Sequence, residues 1–303
     1  MSIVLFVNLK GGVAKTTNAV AVAECLADSG YRVLVIDADH QGMSGELLLG
    51  EDRLLRCEKR KITLHDMMAA MLDEDFKVEQ LSYYAVSNVS DIGDGVPNLS
   101  VIPCSFRIDD FSTNMAKARH GHKSNDEFLA MFRKRRSALR RWLQDNYDFT
   151  IVDCPPSIAI QVKTLLEVGD SFIVPAIPDR LSVRGSLHLL DRIRRMGIKI
   201  DQLGTLWSLF RKQNQMHRAV IKAAEKGVDP YGLMPKPFAT VIPNAAKIAE
   251  ATEPGRNPKN FNAKYTPEFA RLYRSLCEEI VQRSQWRKAV PAKINGTATP
   301  VHS

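Results

Sequence analysis

Residues 3–17 read Ile3-Val4-Leu5-Phe6-Val7-Asn8-Leu9-Lys10-Gly11-Gly12-Val13-Ala14-Lys15-Thr16-Thr17, and this stretch decides the fold. An apolar run over 3–8 predicts a strand, a glycine pair predicts a turn, and apolar spacing over 16–28, closed by Gly30, predicts a helix. Strand, glycine turn and helix N-terminus in that order form an anion site, because free backbone N–H groups and the positive end of the helix dipole converge there. In such a site Lys15 would supply charge to the β- and γ-phosphates of a nucleotide, and Thr16 a hydroxyl to Mg²⁺. The ordinary GxxxxGK[ST] loop is not matched, since Leu9 and Ala14 stand where its two glycines belong. The stretch fits instead the form xKGGxxK followed by Thr, with Lys10 as an additional cation ahead of the glycine pair.

Outward from this loop, short β-branched runs alternate with helical periodicity, which implies a parallel sheet. Strands are expected at 32–36, 99–103, 149–152, 172–174 and 205–210, with 240–242 extended. Helices are expected at 64–72, 183–196 and 215–226. Ser124 followed by Glu127 is a capping box that opens a helix with Phe128, Phe132, Leu139, Trp142 and Leu143 on one face. Its other face carries Arg133, Lys134, Arg135, Arg136, Arg140 and Arg141. Thr266-Pro267-Glu268 opens a last helix. Residues 50–62 and 84–98 read as loops, and 104–124 as an excursion outside the sheet. One domain over 1–288 is expected, with a flexible tail over 289–303, where Pro, Gly and Thr lack periodicity.

Composition narrows the class. The 303 residues are 45% hydrophobic and 25% charged, enough for a large core and incompatible with wholesale disorder. No apolar run approaches the roughly 20 residues of a membrane span, and no leader pattern precedes the first strand. Five scattered cysteines (Cys25, Cys57, Cys104, Cys154 and Cys277) suggest neither a metal cage nor a disulfide framework, so a cytoplasmic location is expected. Net charge is +8, distributed unevenly: residues 1–110 hold 10 Lys and Arg against 17 Asp and Glu, whereas 111–303 hold 32 against 17. A polyanion partner for the second half and a solvated basic surface both fit that asymmetry.

Further segments follow the loop in order: VLVIDADHQGMSGELL, NLSVIPCS, YDFTIVDCPPS, DSFIVPAIPDRLSVRGSLHLL and FATVIPNAAKIAEATEPG. Together with the loop they resemble the ParA/MinD-type ATPases with a deviant phosphate loop, closest to ParA, over residues 1 to about 285. The resemblance implies a P-loop α/β fold: a mostly parallel twisted sheet with helices on both faces. ATP and Mg²⁺ are its implied cofactors. Gly11, Gly12, Val13, Ala14, Lys15, Thr16 and Thr17 would cradle the phosphates. Lys10 would reach the partner's nucleotide across an ATP-bound homodimer.

Asp39 falls where the family holds the attacking water, and with Thr16 and Asp153 it completes the expected metal set. Asp37 ends the second strand near the same crevice. Lys10, Lys15 and Asp39 are the expected catalytic residues, and Cys154 reads as packing. Adenine is expected near Phe210, Arg211 and Pro243.

Two departures stand out against the family: Ala14, where relatives have glycine, and Asn244, where they often have arginine. If position 14 needs positive φ, alanine there costs on the order of 1 kcal/mol.

By the resemblance, the second half would bind nonspecific double-stranded DNA, hence the nucleoid, through Arg211, Lys212, Arg218, Lys222, Lys226 and Lys247. The arginine-rich helix over 133–141 offers a second patch or a solvated face. The loop begins at residue 10, so no helix-turn-helix domain is expected ahead of it. The last helix has core spacing, so no membrane anchor is expected either. A ParB-like or cargo-adaptor protein would stimulate hydrolysis. Alternatives are a nucleotide-gated DNA-binding or recruitment module with little hydrolysis, and a metabolic or cluster-carrying relative.

Overall fold

A computed structural model describes residues 1–253 and 256–289. The first half runs β1 (Ser2–Phe6), α1 (Lys15–Asp28), β2 (Val33–Asp37), α2 (Met43–Leu49), α3 (Glu51–Lys59), α4 (Leu64–Ala70), β3 (Val86–Val89), β4 (Val96–Ile102), α5 (Phe111–Gly121) and α6 (Asn125–Asn146). Then follow β5 (Phe149–Asp153), α7 (Ile160–Val168), β6 (Ser171–Ala176), α8 (Arg180–Arg195), β7 (Asp201–Trp207), α9 (Gln215–Glu225), α10 (Ala246–Glu250) and α11 (Phe261–Ala289).

The strands form one sheet in the order β3-β4-β2-β5-β1-β6-β7, parallel except for β3 against β4. Every residue of β1, β2 and β5 is buried, because helices cover both faces. Alternate side chains therefore enter two cores. Ile3, Leu5, Leu34 and Ile36 join one with Phe132 and Trp142 of α6. Val4, Phe6, Val33 and Val35 join the other with Ala19, Val20 and Val22 of α1 and Tyr265 and Tyr273 of α11.

The parallel sheet, the α6 cap and the buried face of α6 are as expected. Ser124 accepts from the Glu127 N–H at 3.1 Å, and Phe128, Phe132, Leu139, Trp142 and Leu143 are the buried residues of that helix. Glu127 reaches back to the Lys123 N–H rather than to that of Ser124. α1 ends as expected: Gly30 stands at φ 91 and donates to Ala27. The segment after Thr266 begins a new helical run, since Thr266 itself is non-helical (φ 62, ψ 155) and Pro267 follows it.

Both expected loops hold regular structure. α3 lies within 50–62 and buries only Cys57, so it lacks an apolar stripe. Its ends carry the helical signal, with Glu51 and Asp52 in the first turn and Arg56 and Lys59 in the last. The 84–98 segment forms β3 and the start of β4, an edge hairpin whose outer strand is mostly exposed. Gly95 makes that hairpin possible: it stands at φ 102, and a Cβ there would sit 2.6 Å from the Asn88 carbonyl. Residues 104–124 stay outside the sheet as a 3₁₀ turn (Phe106–Asp110) and α5. Residues 240–242 run beside β7, with Ile242 donating to the Trp207 carbonyl. The expected tail falls on positions 290–303, outside the described residues, apart from Ala289 at the end of α11.

Candidate nucleotide site

Parallel register assembles the site. β1 lies between β5 and β6, so the loop after Phe6 emerges at the carboxyl edge between two neighbouring strands. Asp153 pairs in register with Phe6 on one side and Asp37 on the other, which places two carboxylates side by side beneath the loop.

The loop is held from within and from both flanks. Lys15 is buried, and its Nζ donates to the Lys10 carbonyl at 3.0 Å, across the loop it closes. Burial lowers the pKa of its ammonium, opposed by the charges of Asp153 and Asp39. On one flank, Asn8 accepts from the Lys10 N–H at 3.0 Å and donates to Pro175 and Ser186. On the other, Asn18 donates to the Ala14 carbonyl at 2.8 Å and to Ser208 Oγ at 3.0 Å. Ala14 stands at φ 59, ψ 37, so position 14 does need the left-handed conformation that favours glycine. Gly12 stands at φ 68, and Gly11 and Gly12 have open space where a Cβ would lie.

Lys10 is a third exposed, and its Nζ lies 3.7 Å from Asp179 at the N-terminus of α8. Asp179 is also the cap of that helix, accepting from the Ser182 N–H at 2.6 Å. The Asp179-Arg-Leu-Ser182 spacing marks a helix start in the sequence, but its proximity to Lys10 arises only through the β1–β6 pairing.

Asp37 and Asp153 are fully buried. Burial pushes both carboxyls upward in pKa; the neighbouring Asp153 charge adds to the rise at Asp37, while hydrogen bonds from Thr16 and Ser44 oppose it at Asp153. Ser44 Oγ is 3.1 Å from Asp153 Oδ2, and Gly45 N–H donates to Asp37 at 2.8 Å. Asp153 Oδ1 is buried without a hydrogen-bond partner among the described residues.

An orphaned carboxylate oxygen beside the Thr16 hydroxyl and a second repelling carboxylate is the environment that a hard divalent cation relieves. The residues therefore fit Mg²⁺. Among the described residues no group of three or more His, Cys, Asp or Glu is arranged to hold a metal, so hydroxyl, water and phosphate oxygens would supply most ligands. Asp39 is half-buried above them, accepting from the Gln41 N–H at 3.1 Å. Burial raises the Cys154 thiol well above its usual range, in keeping with packing rather than nucleophilic chemistry.

The adenine candidates gather on the Asn18 flank. Phe210 pairs with Pro243 through the backbone, and Arg211 N–H donates to His217 Nδ1 at 3.1 Å. Asn244, with its amide in the orientation that satisfies both groups, accepts from the Arg211 guanidinium at 3.0 and 3.2 Å.

Of the basic candidates, Arg218, Lys222 and Lys226 form one exposed stripe along α9 and its last turn, with no ion pair to any of the three among the described residues. The stripe borders a groove of about 390 Å³ lined by Phe210, Ile221 and Val241. Arg211 and Lys212 are exposed nearby, whereas Lys247 is paired with Glu250 at 2.7 Å.

The second patch is reduced by folding. Arg135 donates to the Met71 and Glu74 carbonyls, Arg136 pairs with Glu167, and Arg140 binds Asp170 and the Val168 carbonyl. Of the six basic residues on that face, Arg133, Lys134 and Arg141 remain exposed. Sequence reading missed Ser44, Asn18 and Asp179, each a short polar side chain whose partner is remote in the chain. Among the described residues no helix is long and apolar enough to cross a membrane.

Residues 1–203 match the model of a family described as AAA domain. The chain is 27% identical over 284 residues to the chromosome-partitioning ATPase Soj of Treponema pallidum, covering 93% of this chain and 98% of the relative. It is 25% identical to the chromosome partitioning protein ParA of Caulobacter vibrioides, covering 96% and 98%. Among solved structures it resembles apo McdA of Cyanthece, with a TM-score of 0.67 at 18% identity over 93% and 99% of the two chains. It also resembles cobyrinic acid a,c-diamide synthase of Mycobacterium smegmatis with bound ADP and magnesium, with a TM-score of 0.65 at 22% identity over 95% and 96%. By the family match and these near full-length similarities, the chain belongs to the AAA-domain family and, within it, to the ParA/MinD-type P-loop ATPases.

Proposed function

We propose that the protein is a ParA-like partition or positioning ATPase that binds ATP and Mg²⁺, dimerises around the nucleotide, holds nonspecific DNA and is reset by partner-stimulated hydrolysis. The observation that carries this reading is the two-lysine loop. Lys15 is buried against the loop backbone, while Lys10 stands at its mouth, partly exposed and free to exchange Asp179 for phosphate oxygens across a dimer.

Within the site, backbone N–H groups of the loop and the two lysines would offset charge developing on the transferred phosphoryl group. Asp39 would orient water, and Thr16 and Asp153 would hold Mg²⁺. The cation would neutralise phosphate charge. A ligand that binds only the dimer drives association by mass action, so hydrolysis loosens it.

The exposed stripe of Arg218, Lys222 and Lys226 supports backbone-directed DNA binding without base reading. A ParB-like or cargo-adaptor protein would supply the stimulus, and the nucleoid would be the location. Sedimentation velocity with no nucleotide, ADP or ATP, with and without nonspecific duplex at two salt concentrations, tests the whole. A heavier DNA-bound species is expected only with ATP. Removing the three stripe charges should lower the log–log salt slope by about three per protomer. Equal behaviour with ADP, or an unaltered Lys10→Ala variant, would refute the mechanism.

The strained Ala14 favours one second reading: a nucleotide-gated DNA-binding module with little turnover. Phosphate release separates the two. Turnover abolished by Asp39→Ala supports the ATPase, and ATP-dependent DNA binding without turnover supports the gate.

A further inference from the structure

Ala14 holds a left-handed conformation at the point where the phosphate loop becomes α1. Relief of that strain needs rotation about the Ala14 N–Cα bond, which, with the preceding peptide held in the loop, swings the Ala14 carbonyl out of its place. Something must hold that carbonyl. It accepts two hydrogen bonds, from the Asn18 backbone N–H at 3.1 Å and from Asn18 Nδ2 at 2.8 Å.

The Asn18 side chain is itself fixed on every polar atom. Its second amide hydrogen goes to Ser208 Oγ at 3.0 Å, and its Oδ1 accepts from the Tyr273 hydroxyl at 3.1 Å. Ser208 Oγ in turn donates to the Leu206 carbonyl at 3.3 Å. Asn18, Ser208 and Tyr273 are all fully buried, and they come from α1, the end of β7 and α11. A fully satisfied polar network in an apolar core selects one arrangement, because any departure leaves a buried group unpaired.

We propose that Asn18, oriented by Ser208 and Tyr273, is a positioning residue that clamps the Ala14 peptide in its left-handed state and so keeps the phosphate loop formed. The role toward nucleotide rests on the ATP-binding reading above; the clamp itself does not. Glycine adopts positive φ without strain, so a clamp that exists for Ala14 loses its purpose when position 14 is glycine. A purely structural Asn18 would matter equally in both backgrounds.

A double-mutant cycle tests this. Asn18→Ala and Tyr273→Phe are each placed in the natural chain and in the Ala14→Gly background. Affinity for a fluorescent methylanthraniloyl-ATP with Mg²⁺ and the urea midpoint are then read. Asn18→Ala should weaken the analogue about tenfold in the natural chain and less than about threefold beside Ala14→Gly, the difference being one hydrogen bond. Tyr273→Phe should act in the same direction and keep its ring against Tyr265.

Equal losses in both backgrounds overturn the clamp. Should Asn18→Ala fail to fold, Tyr273→Phe and Ser208→Ala carry the cycle. If the natural chain does not bind the analogue, the proposed function fails and the urea midpoints alone decide. Non-additivity between positions 14 and 18 then upholds the clamp, and additivity removes it.

Discussion

Two substitutions two residues apart in the phosphate loop should move stability in opposite directions. Ala14 and Gly12 both stand at positive φ, 59° and 68°. An L-residue in that region carries roughly 1–2 kcal/mol of strain. Ala14→Gly removes it, but it adds roughly 0.4–1 kcal/mol of unfolded-state entropy and forfeits a few tenths of a kcal/mol from a half-buried methyl. The net is a gain of about 0.5 kcal/mol, which for a chain of this size raises the melting temperature by about 1–2 °C.

Gly12→Ala runs the same balance backwards. Open space surrounds the position, so no clash adds to the strain. The expected loss is about 0.5–1 kcal/mol, or about 1–3 °C. Differential scanning calorimetry on the nucleotide-free protein resolves the pair, with urea midpoints as a check. An Ala14→Gly variant that melts below the natural chain, or a Gly12→Ala variant that melts above it, would refute the assignment of strain to position 14.

The remaining predictions concern the buried polar groups behind α1. Glu24 is completely buried between Lys264 at 2.7 Å, Ser90 at 2.6 Å and Tyr265 at 2.7 Å. Lys264→Met leaves its charge without a counter-ion and should cost about 3–5 kcal/mol in urea denaturation, and a loss under about 1 kcal/mol would contradict that account. Tyr265 and Tyr273 are held protonated above the ordinary tyrosine value of 10.0, chiefly by burial. The unfolded chain releases those protons first, so the stabilisation is complete below pH 10 and declines as pH rises beyond it, by about 1.4 kcal/mol per pH unit for each group. Tyr273→Phe should reduce that alkaline slope by one group, and an unchanged slope would show that the hydroxyl does not titrate this way.

Much of the site was legible because its chemistry is local. Residues 3–17 contain the strand, the turn, both lysines and the Thr16 hydroxyl in one run, and the structure places them around one loop. The α6 cap and its buried face were legible for the same reason, since residues three and four apart meet on a helix. α3 escaped because it exposes nearly everything and so shows no apolar period, although its end charges mark it. The β3 hairpin escaped because its strand alternates little and depends on Gly95 at positive φ.

Charge was the least legible feature. Six basic residues on α6 read alike as DNA contacts or a solvated face, yet Arg135, Arg136 and Arg140 bind backbone carbonyls and carboxylates of other elements. Arg218, Lys222 and Lys226 on α9 instead stay exposed, as do Arg133, Lys134 and Arg141 on α6.

Taken alone, the sequence determined the α/β alternation, the anion-binding loop and the identity of the residues that ring it. Each of these depends on neighbours within a few residues, where spacing dictates contact. Tertiary structure decided that Asp37 would lie beside Asp153, that Lys10 would face Asp179 and that Asn18 would meet Tyr273. Those pairs are joined by parallel strand register and by the docking of α11 on α1, both set by the burial of apolar faces. Burial fixes which polar groups meet, and the local pattern carries no record of it.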